Sequence, residues 1–358
     1  MRMTTIVSRL SAVVFPSVLA LALIFANLPI SNANNGLVVA HTGACTGWQQ
    51  GTCLHDVGRN ASIYWASYDR FVDQWSADMG QNVYYDHNSA SLHSYERDTN
   101  RINGVISTAG ARVFSPSISP DGSMIAYTTV DGTTNRIHVV ALENGEETIA
   151  AASTSAARIT GDVRWSPDSR RLAYFTVTNS YLIQAHVVDL TTSEITSLGR
   201  VHDPTLAWSP DGTRVAYIPV DSYDSIGIAT FDAQNTVQTH VYAAPGMLAV
   251  NNVRSGNRIS FSPDGEQVMY PGRDVRQGVT SVNTVDVMTG EHTTLSEFND
   301  VEMNFEDAAW LEDGILLVED QLQGRNRDAI VFHRIDPETG ERSEIGTLTT
   351  GDFLRVVD

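Results

Sequence analysis

Three short polar segments in the second half of the sequence carry side chains that suit binding rather than packing. They supply carboxylates, a phenol and guanidinium groups at Asp221, Tyr223 and Asp224, at Arg273, Asp274 and Arg276, and at Asp320, Arg325 and Arg327. A guanidinium group holds a carboxylate or phosphate through two parallel hydrogen bonds. The arginines therefore predict an anionic ligand, such as an acidic glycan or an acidic partner surface. The alternative is that these residues are solvated loop charges.

The sequence contains none of the short motifs that mark common catalytic or cofactor sites. Gly-x-Ser-x-Gly, His-Glu-x-x-His, Cys-x-x-Cys and Gly-x-Gly-x-x-Gly are all absent. The usual signatures of a serine nucleophile, a zinc site and a dinucleotide site are therefore missing. We assign no catalytic residue, no metal and no cofactor, although an enzyme with dispersed active-site residues stays an alternative.

Four histidines occupy equivalent positions in a repeated pattern, at His93, His138, His186 and His333. A metal site needs several ligands at one point, and equivalent positions in successive repeats lie far apart. A histidine also offers a flat body with a polar tip for packing. We interpret the four histidines as packing residues.

The overall charge excludes one class of partner. The chain has a formal net charge of −19, and all 23 of its basic residues are arginine. Nucleic-acid binding needs clustered positive charge, so a nucleic-acid partner is not expected. A content of 42% hydrophobic and 18% charged residues is typical of a folded chain with a buried core.

Residues 1–33 are typical of an export signal. A short basic region precedes the apolar run Leu10–Ile30, and the small residues Ser31 and Ala33 fit a peptidase site. The run is close to membrane-spanning length, so an uncleaved anchor is the alternative. With no later run of that kind, we expect residues 34–358 to form the mature protein outside the cytoplasm, secreted or periplasmic.

Cys45 and Cys53 are the only cysteines of the sequence. In an oxidising compartment, an even pair this close together predicts a local disulfide. Two ligands are too few for a metal site.

One phrase recurs along the mature chain with a period of 43 to 53 residues. Its clearest copies are Trp165–Ser169 and Trp208–Gly212, in which an aromatic anchor precedes Ser-Pro-Asp and a small residue. The anchors of the six copies are Trp75, Ile118, Trp165, Trp208, Phe261 and Trp310. Each phrase predicts a hairpin whose turn has proline second and ends on a residue with positive φ.

The rest of each period predicts two more strands. A third strand, a second turn such as Glu143–Gly145 and a fourth strand follow each hairpin, and a four-stranded period of 40–50 residues is that of a propeller blade. The tryptophan anchors are expected in the core between blades, because they bury large apolar areas. Ser169 replaces the turn glycine in one copy, which should cost about 1 kcal/mol if the left-handed geometry is kept.

The Ser-Pro-Asp-Gly hairpin, with its preceding tryptophan and following Val-Ala-Tyr, resembles the WD40-like repeat of TolB-type propellers. The resemblance covers roughly residues 37–358, without room for the α/β domain that precedes the propeller in that family. It implies an all-β fold of four-stranded antiparallel blades, forming a single domain over residues 34–358. It does not imply a function.

The two chain ends predict how many blades there are. Six phrases indicate six blades, but the strands Leu37–His41, Thr52–Val57 and Ser62–Trp65 lack a first strand, and Phe353–Val357 could supply it. We therefore favour seven blades, with six as the alternative, in a ring closed by the terminal strands. Closure would remove exposed sheet edges.

These features favour an exported monomeric module of the cell envelope or extracellular space that binds a protein or an acidic glycan. The alternative is a propeller enzyme of the polysaccharide lyase or hydrolase type.

Overall fold

A computed structural model of the chain describes residues 38–357. The description omits residues 45–49, 57–60, 67–73, 76–80, 87–88, 97–100, 109–110, 155, 221–223, 233–235, 246–258, 275, 300–302, 312–313, 324–325 and 349–351. Before residue 81, and at several later strand positions, it gives the backbone alone. Within this part of the chain the secondary structure is β-strand throughout, and no helix there could cross a membrane.

The strands form antiparallel units of four, which we number along the chain. Unit 1 contains β1 (Val38–Ala44), β2 (Gln50–Asp56), β3 (Ala61–Ala66) and the C-terminal strand β27 (Asp352–Val357). Unit 2 contains β4 (Gln74–Trp75), β5 (Gln81–Asp86), β6 (Ser91–Glu96) and β7 (Arg101–Ser107). Unit 3 contains β8 (Arg112–Ile118), β9 (Met124–Asp131), β10 (Thr134–Ala141) and β11 (Glu147–Thr154).

Units 4 and 5 share one long strand and form a single seven-stranded sheet. Unit 4 contains β12 (Ala157–Trp165), β13 (Arg171–Thr178), β14 (Ile183–Asp189) and the first part of β15 (Ile195–Trp208). Unit 5 contains the rest of β15, β16 (Arg214–Pro219), β17 (Ser225–Phe231) and β18 (Val237–Ala243). The register of β15 shifts between Val201 and Leu206, where the strand passes from one unit to the next.

Units 6 and 7 complete the described strands. Unit 6 contains β19 (Ser260–Phe261), β20 (Gln267–Asp274), β21 (Val279–Asp286) and β22 (His292–Asn299). Unit 7 contains β23 (Met303–Leu311), β24 (Gly314–Gln323), β25 (Asn326–Ile335) and β26 (Arg342–Leu348).

The repeated phrase forms the predicted turn between the first two strands of a unit. In unit 6 the Ser262 hydroxyl donates to the Asp264 carboxylate at 2.6 Å and accepts the Gln267 N–H at 2.9 Å. The Ser262 hydrogen bond, with a second from the Glu266 N–H, holds the pKa of Asp264 below its usual value. Gly265 takes a φ of +73°. The hydrogen bonds of the turn thus require serine and aspartate, and its positive φ favours glycine.

Ser169 adopts the left-handed geometry predicted for it, with a φ of +58°. Its hydroxyl accepts the Asp121 N–H at 3.2 Å, from the corresponding turn of unit 3. Serine is more strained than glycine in this backbone conformation, but its hydroxyl forms a hydrogen bond between neighbouring units.

The core lies between consecutive units, as the tryptophan anchors predict. Trp165 is buried between units 3 and 4, and its indole N–H donates to the Ser117 carbonyl at 3.3 Å. Trp208 packs between units 4 and 5 and donates to the Arg164 carbonyl at 3.3 Å. Trp310 packs on the core between units 6 and 7. Only the backbone of Trp75 is described.

Unit 1 brings the two ends of the chain together in the predicted order. Its sheet runs β27-β1-β2-β3, and Val38 and Ala40 pair with Val357 and Arg355. This pairing of the terminal strands is confirmed. The closing of all units into one seven-bladed ring stays a prediction. The predicted Cys45–Cys53 disulfide and the export signal 1–33 fall outside the described residues and side chains.

The second turn of unit 7 packs directly on unit 6. Gly340 has a φ of +70°, and a Cβ atom placed there would lie 2.0 Å from the Leu295 carbonyl oxygen. Gly145, the corresponding glycine of unit 3, has a φ of +71° and open space around the same position. The two glycines have the same left-handed backbone conformation, but only Gly340 lies against a neighbouring unit.

Gly340→Ala should therefore destabilise the protein more than Gly145→Ala does. Both substitutions force alanine into left-handed backbone at about 1 kcal/mol, but only the first overlaps a neighbouring backbone, which adds about 1–3 kcal/mol. Urea unfolding of both variants measures the difference. Equal losses of unfolding free energy would show that units 6 and 7 do not contact each other at this turn.

Candidate functional site

The connections between the second and third strands of the units lie at one end of the sheets, opposite the Ser-Pro-Asp-Gly turns. This follows because consecutive strands run antiparallel and every unit repeats the same order. We call this end the loop rim, and its described residues are 89–90, 132–133, 179–182, 220, 224 and 276–278. The opposite end, with the Ser-Pro-Asp-Gly turns and the third-to-fourth-strand turns, is the turn rim.

The charged residues predicted to bind ligand are distributed over the loop rim and the strands below it. Asp224 ends the loop of unit 5, and Arg276 lies in the loop of unit 6. The expectation that all nine lie in loops is wrong for Arg273, Asp274, Asp320 and Arg327, because β20, β24 and β25 extend further than the sequence suggests. Asp221, Tyr223 and Arg325 lie outside the described residues.

The unit 6 loop holds Arg276 in a compact turn. The Asp274 carboxylate accepts the Arg276 N–H at 2.8 Å and the Gln277 N–H at 3.2 Å. The Gly278 N–H donates to the Asp274 carbonyl at 2.9 Å. Asp274 thus fixes the backbone, and Arg276 is exposed to solvent. The arrangement presents a guanidinium group on an ordered support.

Asp224 influences the side chain beneath it. Burial, with a further contribution from the negative charge of Asp224, raises the pKa of Tyr270 to about 12. The Asp224 carbonyl accepts the Ala244 N–H at 2.6 Å, so the end of the loop is anchored to the strand that leads toward unit 6. Asp224 therefore contacts the connection to unit 6 through its carbonyl and acts on Tyr270 of unit 6 through its charge.

Tyr181, in the loop of unit 4, is a surface residue that the charge pattern did not single out. Its side chain is 86% exposed, and its φ is +60°. The Tyr181 N–H donates to the Thr178 carbonyl at 2.9 Å, and the Leu182 N–H donates to the Thr178 hydroxyl at 3.1 Å. An aromatic residue inside a four-residue hairpin loop is the sequence signal that would have found it.

Backbone strain differs between the two rims. On the turn rim most left-handed positions are glycine, as at Gly122 and Gly290, with serine in unit 4. On the loop rim Gly132 and Gly278 also have positive φ, but Ala90, Tyr181 and Asp224 adopt it with side chains attached. Bulky residues rarely adopt this region, and strain of this kind concentrates at functional sites.

Two of the histidines form partly buried polar contacts within the sheets. His138 pairs with Tyr127, stacks on its ring at 4.8 Å and lies 2.8 Å from the Thr129 hydroxyl. Its other nitrogen lies 2.7 Å from the Glu147 carboxylate. His186 stacks on Tyr174 at 5.1 Å in the same way. For these two histidines the stacking partner lies in the same unit, on the neighbouring strand.

The order Thr129, His138, Glu147 is that of a hydroxyl, imidazole and carboxylate relay. Thr129 is only 6% exposed, so a substrate cannot reach its hydroxyl. Unit 4 keeps the hydroxyl and the histidine, at 3.0 Å between Thr176 and His186, but has Ile195 where unit 3 has the carboxylate. The relay is therefore a structural contact between strands.

Unit 7 replaces these groups with buried charges. Glu319 is fully buried, and its Oε2 lies 2.6 Å from Arg342 Nη2 and 3.0 Å from His333 Nε2. The other carboxylate oxygen, Oε1, is buried and has no hydrogen-bond partner among the described residues. Among the described side chains, no group of three or more histidines, cysteines or carboxylates is placed to hold a metal ion.

Comparison with known proteins finds similar structures but no similar sequences. No protein-family model and no curated protein matches the sequence. An oligogalacturonate lyase from Vibrio parahaemolyticus is similar in structure, with 13% identity, a TM-score of 0.54 and coverage of 87% of this chain and 86% of that one. The periplasmic gluconolactonase of Pseudomonas aeruginosa shows 14% identity and a TM-score of 0.54, over 90% of this chain and 99% of that one.

The fold is a β-propeller. A putative 6-phosphogluconolactonase from Bacteroides fragilis agrees, with 14% identity and a TM-score of 0.55 over 92% of this chain and 99% of that one. At these identities the likeness shows the fold alone. TolB from Acinetobacter baumannii reaches a TM-score of only 0.40, so the resemblance to TolB-type repeats rests on the sequence phrase.

Within the propeller, the described part of the loop rim carries exposed functional groups on hydrogen-bonded loops. Arg276 and Tyr181 both stand on short, hydrogen-bonded loops, and one unit separates them. The buried groups of units 3, 4 and 7 lie between strands. The candidate site is therefore the exposed surface of the loop rim at units 4 and 6.

Proposed function

We propose that this chain is an exported propeller that binds a ligand carrying carboxylates through its loop rim. The observation that carries the proposal is the Asp274–Gly278 turn, which holds Arg276 exposed on a fixed backbone. Because the chain has a net charge of −19, an exposed guanidinium on an ordered loop is a local exception to its surface charge. The apolar segment that precedes the propeller supports export.

A carboxylated glycan is the ligand that these groups fit best. The guanidinium recognises carboxylates through its planar fork, and the structural neighbours include an oligogalacturonate lyase, which is named for a chain of sugar acids. That name gives no activity to this chain, and it serves here only to choose the ligand class for the test. The alternative is an enzyme that acts on a polysaccharide of the same class. Measurable turnover of the polysaccharide would distinguish the enzyme from a binding protein.

Arg276→Ala should weaken binding to an acidic polysaccharide such as polygalacturonate. Loss of a charge-assisted hydrogen bond corresponds to about tenfold in dissociation constant. Isothermal titration at low salt measures it, with dextran as the neutral ligand. Added salt should weaken the wild-type binding, since exposed charges are screened.

Arg101→Ala is the matched control, because it removes the same charge from an exposed residue at the turn rim. Equal weakening by both variants would mean that binding follows net charge and not the loop rim. Unchanged affinity of Arg276→Ala would refute the proposal. Release of sugar fragments from the polysaccharide would favour the enzyme.

A further inference from the structure

Tyr181 is a large side chain that the fold holds in solvent at a conformational cost. Its side chain is 86% exposed, and its φ of +60° is unfavourable for a residue with a bulky side chain. Asparagine or glycine would fit this backbone with less strain. The position therefore retains an aromatic ring although the local backbone favours another residue.

The loop that carries Tyr181 is ordered. Thr178 accepts two N–H groups, from Tyr181 through its carbonyl and from Leu182 through its hydroxyl, and its own N–H donates to the Leu182 carbonyl at 2.9 Å. These bonds close a tight hairpin between β13 and β14. The ring thus stands on a rigid support, which lowers the entropy lost when a ligand binds.

The surroundings of the ring distinguish a sugar from a protein partner. A stable protein interface buries about 800 Å² on each partner around a desolvated core. On the described loops of the rim, Tyr181 and Leu182 are the large apolar side chains that are exposed. The exposed ring with one aliphatic neighbour is too small for such an interface, but it fits one face of a sugar, which is a small surface of C–H groups edged by hydroxyls.

We propose that Tyr181 is a stacking platform and that the ligand is a uronate-containing glycan chain long enough to reach from unit 4 to unit 6. The inference rests on the proposed function, and it adds the length of the ligand and a second contact point. Arg276 binds a carboxylate at unit 6, and Tyr181 binds the face of another sugar ring two units away. A single sugar acid reaches only one of the two.

The test is titration of galacturonate monomer, dimer and longer oligomers into three proteins. The affinity of the wild type should rise with oligomer length. Tyr181→Asn should lose about tenfold for the longest oligomer and nothing for the monomer, since one aromatic stack corresponds to about this factor. Tyr181→Phe, which keeps the ring, should bind like the wild type.

Stability separates a binding role from a packing role. Tyr181→Asn relieves the left-handed strain, so its melting temperature should equal or exceed that of the wild type. A lower melting temperature would mean that Tyr181 supports the fold, and the inference would fail. Wild-type affinity of Tyr181→Asn for every oligomer, while Arg276→Ala still weakens binding, would overturn the inference and leave the proposed function standing. Absence of binding to all oligomers would overturn both.

Discussion

Arg342→Met is expected to lower the free energy of unfolding by about 3 kcal/mol, because it removes the permanent cation from a buried carboxylate and leaves only His333, at 3.0 Å, beside it. Glu319 has no exposed surface, and one of its oxygens already lacks a hydrogen bond among the described residues. Removing Arg342 takes away the 2.6 Å contact to the other oxygen. Urea unfolding measures the loss.

The double variant Glu319→Met/Arg342→Met tests the cause. Replacing both partners of a buried ion pair with apolar groups is often nearly neutral, so the double variant should be more stable than Arg342→Met alone. Arg136→Met is the surface control, since its contact to Asp131 is longer, at 3.8 Å, and the carboxylate is exposed. That substitution should change stability by less than about 0.5 kcal/mol. A double variant as unstable as the single one would show that Arg342 acts through packing.

The repeated features of this propeller could be predicted from the sequence because each is determined locally. Ser262, Asp264 and Gly265 make their contacts within six residues of one another, so their order specifies the turn. The position of Trp165 before the turn places it between units for the same reason. Because the phrase is repeated, the same turn and the same position of the anchor residue could be predicted for each unit.

The features that the sequence did not reveal depend on residues distant in the chain or on strand length. Glu319 and Arg342 are 23 residues apart and replace the threonine and glutamate that unit 3 has at the equivalent places. The placing of Asp320 in a loop was wrong because polar residues continue the strand pairing of β24 up to Gln323. Tyr181 was missed because the site prediction followed charged residues, although an aromatic residue in a four-residue hairpin loop was visible in the sequence.

Removal of residues 351–358 is expected to lower the melting temperature by about 10 °C or more. The deletion takes away β27, whose register with β1 includes the pairs Val38 with Val357 and His41 with Phe353. It also leaves β1 as an unpaired edge. For a domain of this size about 2–4 °C are lost per kcal/mol, and a six-residue strand contributes several kcal/mol through its ladder and side chains. Thermal unfolding of the truncated mature chain measures the effect.

A circular permutant provides the matched control for this truncation. Val38 and Val357 lie directly opposite each other at the end of the β27–β1 ladder, so a short turn such as Asn-Gly can join β27 to β1 as a hairpin. New termini at residues 349–351 leave every strand present and make unit 1 continuous in sequence. The permutant should melt near the wild-type temperature, because it keeps the contacts that the truncation removes. If the truncated chain melts at the wild-type temperature, β27 does not close the ring and the six-blade alternative is favoured. If both variants lose stability equally, the ends of the chain contribute through something other than the pairing of β27 with β1.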